Sequence, residues 1–98
     1  MGEQKDYEKK AGHFYDETGL LVKYPGKRPL RRIVLARIAE RFVFSRDYTE
    51  KEVNQIIKSQ IAFSDVELIR RELYEEGFLG RLRDGSKYWK EEGKNSDS

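Results

Sequence analysis

Hydrophobic positions recur at helical spacing in three separate stretches of this chain. Leu30, Val34, Leu35, Ile38 and Phe42 form one stripe, Val53, Ile56 and Ile57 a second, and Val66, Ile69 and Leu73 a third, which predicts amphipathic helices sharing one interior. The first starts near Pro29, acceptable at the first helical position because its missing donor would be unpaired there, and runs to about Val43. The second opens at Thr49, with Glu52 placed to complete a capping box, and ends before Phe63. The third spans 64–76. It opens with Ser64 and Glu67 in the same capping-box spacing and stops at Gly77, suited to the left-handed position after a helix. Two short runs follow, 78–83 and 86–90, joined by Asp84-Gly85, a pair that fits a tight type I′ turn. This order predicts an α+β winged helix: a three-helix helix-turn-helix core with a C-terminal β-hairpin wing.

The flanks carry weaker patterns. Residues 1–12 are charged and polar with no helical or strand period, so burial cannot offset their ordering entropy and a disordered arm is expected. His13-Phe14-Tyr15 and Leu20-Leu21-Val22 are apolar clusters separated by a turn-rich stretch. They form either a short hairpin or one extended segment on the helices, with an extra N-terminal strand as one outcome. Tyr24-Pro25-Gly26 interrupts regular structure, 44–48 is expected to be a turn, and 91–98 a disordered tail. The domain is therefore placed at 13–90. Tyr88 and Trp89 are expected to cover the core from the second wing strand, with a base-stacking platform as the competing role.

Composition narrows the class. Of 98 residues, 37% are apolar and 39% charged, so the core is small. There is no cysteine, hence no disulfide framework and no thiolate metal site, and no apolar stretch of secretory or membrane-spanning length. These features predict a soluble cytoplasmic protein with no membrane association.

The net charge of +2 says less than its distribution. Residues 18–39 hold six cations, Lys23, Lys27, Arg28, Arg31, Arg32 and Arg37, and no acid. The third helix reverses this, with Asp65, Glu67, Glu72, Glu75 and Glu76 against Arg70 and Arg71. The hairpin turns positive again through Arg81, Arg83, Lys87 and Lys90 against Asp84.

An enzyme is not expected. The single histidine, His13, lies in an irregular segment without a nucleophile and base in evident register, and His13 with Asp16 is an ordinary surface pair rather than a metal site. Neither a cofactor nor a small-molecule substrate is predicted. Nucleic-acid binding is the sharper expectation. The basic segment 23–37, chiefly Lys23, Lys27, Arg28, Arg31 and Arg32, and the wing cations Arg81, Arg83 and Lys87 suit phosphate positioning without sequence readout. In a helix-turn-helix the motif's second helix enters the major groove. Stepping about 100° per residue from Val66 places Leu68, Arg71, Glu72 and Glu75 on the outside. Arg71 is then the groove candidate, beside carboxylates that repel phosphate. Arg70, at the margin of the core face, is expected to pair with Glu52 or Glu67 rather than with a base. The alternative is a protein-interaction or homodimerisation module using Leu68, Arg71, Glu72 and Glu75 as a small self-complementary patch.

Four blocks in order carry a resemblance: Leu20-Leu21-Val22-Lys23-Tyr24-Pro25-Gly26-Lys27, Tyr48-Thr49-Glu50-Lys51-Glu52-Val53-Asn54, Leu68-Ile69-Arg70-Arg71-Glu72-Leu73 and Asp84-Gly85-Ser86-Lys87-Tyr88-Trp89. Over about 14–89 the chain resembles a bacterial domain family of unknown function. Its members look like winged-helix proteins, some alone and some fused behind a helix-turn-helix domain of the ArsR regulator type. The family helix usually reads Leu-Arg-Arg-Glu-Leu, so Ile69 stands where leucine is usual. The resemblance implies a fold and a transcription-regulatory setting, and it supplies no site residue. Together these features predict a DNA-binding protein.

Overall fold

Each apolar stripe becomes the buried face of a helix. The structure, a computed structural model, describes residues 2–93, with side chains from Asp6 onward. Helix α1 (Gly2–Ala11) runs into a 3-10 turn (Gly12–Phe14), followed by α2 (Arg28–Ala39), β1 (Asp47–Tyr48), α3 (Glu50–Lys58), α4 (Val66–Glu75), β2 (Leu79–Arg81) and β3 (Tyr88–Lys90). The strands form one antiparallel sheet in the order β1-β3-β2, with Tyr48 opposite Tyr88 and Gly80 opposite Trp89. Leu30, Val34, Leu35 and Ile38 of α2 meet Val53 and Ile57 of α3 and Val66, Ile69 and Leu73 of α4. Phe42, Tyr48, Leu79 and Tyr88 close the core from the sheet side. Phe42 and Tyr48 pack edge to face at 5.1 Å. The described residues thus form an α+β fold of four helices and a three-stranded antiparallel sheet.

The caps explain the helix boundaries. Thr49 Oγ1 accepts from the Glu52 amide at 3.1 Å, and the Thr49 amide donates to Glu52 Oε1 at 2.9 Å, the expected capping box. At α4 the cap is Asp65, whose Oδ1 accepts from the Leu68 amide at 3.1 Å, one residue beyond the expected Ser64. A carboxylate favours the positive end of the helix dipole more than a hydroxyl does. Helix α4 ends at Gly77 (φ +82), where the Gly77 amide donates to Tyr74 O and the Phe78 amide to Leu73 O, a Schellman motif.

Five expectations are corrected. Helix α2 ends at Ala39, and short-range bonds from the Arg41 and Phe42 amides to Ile38 O and Ala39 O still deliver Phe42 to the core. Within 44–48, Asp47 and Tyr48 form β1 rather than part of a turn. The N-terminal segment does not join the sheet as an extra strand; of its two expected forms it takes the short hairpin, with Tyr15 bridging Leu21 antiparallel and the Val22 amide donating to Phe14 O. Leu21 is fully buried and bridges Tyr15 and Ile61, donating to Gln60 O and accepting from Ala62 N, so it packs beside the α3–α4 connection. Residues 2–11, where no helical period is visible, form α1, whose Ala11 is completely buried. In the hairpin, the Gly85 amide donates to Leu82 O, which makes Arg83 and Asp84 the central pair. Gly85 has φ +78 but Asp84 is not left-handed, so the turn is not type I′. Asp84 Oδ1 instead accepts from the Ser86 amide and hydroxyl.

Of the tail expected over 91–98, residues 94–98 lie outside the described residues. Before them, the Glu91 amide donates to Phe78 O and the Gly93 amide to Gly77 O, extending the pairing beyond β3. No helix among the described residues is long and apolar enough to cross a membrane.

Candidate functional site

Helix α4 buries Val66, Ile69 and Leu73 and exposes Glu67, Arg71, Tyr74 and Glu75. Leu68 and Glu72, expected on the outside, are both partly buried. Segment 21–28 meets the helix on the Glu72 side: the Tyr24 hydroxyl donates to Glu72 Oε1 at 2.7 Å, and Arg28 reaches Glu76 just beyond the helix. Burial, and next the hydrogen bond to Glu72, push the Tyr24 phenol well above its ordinary range, so it stays a donor.

The basic segment divides into two parts. Arg28 and Arg32 both reach Glu76 at the end of α4, at 3.1 and 2.7 Å. The Arg32 guanidinium also lies 5.4 Å from the centre of the Phe78 ring. Arg31 donates to Pro25 O at 3.0 Å and covers Tyr24, and Pro25 is buried. The Arg28 hydrogen bond, with help from Arg32, holds the Glu76 carboxyl below the usual carboxylate range against the opposing effect of burial. These three arginines therefore fix the loop and α2 to α4. Lys23 and Lys27, in contrast, are exposed, and their side chains make no ion pair or hydrogen bond among the described residues. Arg37 lies further along α2, paired with Glu8 at 3.3 Å and set over Tyr15.

The wing occupies the other flank of α4. Arg81 stacks on Tyr74 at 4.9 Å, Lys87 pairs with Asp47 at 3.5 Å, and Arg83 is exposed without a partner among the described residues. Arg70 is a structural ion-pair residue, but its partners differ from those expected. It donates to Asn54 Oδ1 at 2.6 Å and lies 3.9 Å from Glu50, both on α3. Glu52 is instead engaged by Thr49 and by Arg46 at 3.6 Å. Arg71, between the two flanks, is exposed and unpaired among the described residues. Trp89 departs from its expected role. It points away from buried Tyr88, lies across Gly80, and remains partly exposed.

The structure thus brings unpaired cations to both sides of α4 and turns their neighbours into internal braces. Glu76 is the residue that sequence reasoning missed. Its position at the acidic end of α4 was a signal, but its partners lie more than forty positions away in the chain.

Residues 20–90 match a family described as an uncharacterized protein conserved in bacteria, DUF2087. The chain belongs to this family. The match takes in everything from the Leu21 segment to the end of β3 and leaves α1 outside it. Two blocks within this DUF2087 region have a structural reason: Tyr24-Pro25-Gly26 docks on α4 through Glu72, and the Arg70-Arg71-Glu72 run supplies that acceptor and the Arg70 brace to α3. Comparison with curated proteins and with solved structures gave no match.

Proposed function

We propose that this DUF2087 chain is a non-enzymatic nucleic-acid-binding protein of the transcription-regulatory kind, built as a winged helix. The element order supports this reading. Helices α2, α3 and α4 form the helical core, β2 and β3 the wing, and β1 completes the sheet. Helix α4 is then the motif's second helix, the one that approaches the groove.

One observation carries the proposal: cations without internal partners lie on both flanks of α4 and at its centre. Lys23 and Lys27 stand on one side, Arg83 on the wing, and Arg71 between them. They neutralise phosphates, with Lys87 adding to the wing. Arg28, Arg31, Arg32 and Arg81 act as positioning residues. Glu67 and Glu75, one turn either side of Arg71, repel phosphate and keep base readout sparse, so the backbone contribution dominates. The alternative, a protein interface around Leu68, Glu72 and Glu75, is weakened by the partial burial of Leu68 and Glu72.

The test is anisotropy of a labelled random duplex with charge-reversed variants. Lys23→Glu with Lys27→Glu, and separately Arg71→Glu with Arg83→Glu, are each expected to lower affinity about tenfold or more across all sequences. Lys9→Glu with Lys10→Glu on α1 serves as the charge-matched control and changes it far less. Equal losses in all three proteins, or none, would remove these residues from the proposal.

A further inference from the structure

A groove of about 610 Å³ runs past the end of the sheet, lined chiefly by Phe44, Leu79, Gly80, Lys90, Glu91 and Glu92. None of these residues belongs to the cation set above. Phe44 gives one wall an apolar face open to solvent, and Val43 precedes it in the chain just outside the groove. Val43 and Phe44 are 58% and 50% exposed, the two highest values among the large hydrophobic residues described. Their display is built in. The Val43 amide donates to the Tyr48 hydroxyl at 2.8 Å, and the next turn places Ser45 at φ +67, a left-handed conformation unfavourable for a residue with a side chain. The Lys90 ammonium donates to Phe42 O at 3.1 Å and lies 4.6 Å from the centre of the Phe44 ring, pinning that ring in place.

The facing rim is acidic. Glu91 and Glu92 are exposed, and neither forms an ion pair among the described residues. Trp89 Nε1 donates to Glu91 Oε2 at 2.6 Å, which orients that carboxylate while leaving its charge uncompensated. The Lys90 ammonium is held toward the carbonyl and the ring, and with one cation against two carboxylates the lining remains acidic on balance.

We propose that this groove docks a basic amphipathic segment of a partner protein, with its apolar side chains against Phe44 and its arginine or lysine side chains against Glu91 and Glu92. Charge complementarity selects the occupant. Nucleic acid or an acidic peptide would bring like charge onto two carboxylates, whereas a basic segment gains both attraction and apolar contact. An exposed aromatic held in a fixed position is the kind of anchor that dominates such interfaces. The inference does not depend on nucleic-acid binding.

The experiment titrates a short fluorescein-labelled peptide of alternating leucine and arginine with the whole protein. Anisotropy is followed together with emission from Trp89, the one tryptophan of the chain. Saturable binding is expected, weakened at least tenfold by Phe44→Ser and, independently, by Glu91→Gln with Glu92→Gln. A leucine–glutamate peptide should not bind. Absence of binding, unchanged affinity in both variants, or equal affinity for a serine–arginine peptide would overturn the proposal. So would a duplex that loses affinity in Phe44→Ser when the peptide does not, since the groove would then belong to nucleic acid.

Discussion

Glu76 receives two guanidinium groups, and its removal is the sharpest test of the internal brace. With Arg28 largely exposed and Arg32 mostly covered, Glu76→Gln is expected to cost on the order of 1 kcal/mol at neutral pH, read as a shift in the urea midpoint. Its pH dependence has a definite sign. The folded carboxyl titrates below its ordinary value of 4.5, so the contribution is complete above that pH and is lost as pH falls through the depressed folded value. Asp16, lowered first by the Thr18 hydroxyl, and Asp84, lowered first by the Ser86 amide, act in the same direction. Stability should therefore fall between about pH 4.5 and the acid limit. Glu76→Gln should show a shallower decline than the native chain, and parallel declines would remove Glu76 from the acid response. Tyr24→Phe deletes one partly buried hydrogen bond and should cost about 1 kcal/mol, measured the same way.

Among the elements, α3 depends on its capping box. Thr49→Ala should destabilise the fold by about 1 kcal/mol in a thermal or urea melt. The β2–β3 pair depends on close approach. A methyl group at Gly80 would meet the Trp89 indole at 2.3 Å, so Gly80→Ala must displace the ring and should alter Trp89 emission along with stability. The three inner helices were legible in sequence because their stripes hold the 3.6-residue period and their ends use Thr49 and Gly77 chemistry, although the α4 cap falls at Asp65 rather than Ser64. Strand β1 was not, since two residues cannot display alternation and its pairing with β3 spans some forty positions. Helix α1 escaped notice for a different reason. Its contacts rest on Tyr7 and Ala11 alone among the apolar positions described, too few to reveal a period. The hairpin was recognised but its turn type was not, because Asp84 turned its side chain to Ser86 instead of adopting a left-handed backbone.

At the scale of the whole molecule, charge is sorted rather than summed. The cation-rich run before and within α2 looked uniform in sequence, yet folding divides it into arginines that brace α2 to α4, to the preceding loop or to α1, and lysines that face solvent. That division depends on Glu72 and Glu76, whose proximity only the tertiary structure reveals. The candidate nucleic-acid surface consists of the unpaired cations Lys23, Lys27, Arg71 and Arg83 about α4, with Lys87, held by Asp47, beside them on the wing. The acidic groove beside Phe44 is a separate surface of opposite charge. The central claim is tested most directly by anisotropy of a labelled random duplex over a series of salt concentrations. With phosphate contacts from Lys23, Lys27, Arg71 and Arg83, and a further one from Lys87, the log–log slope is expected to lie between about −3 and −5. No binding at low salt, or a slope near −1, would contradict the account.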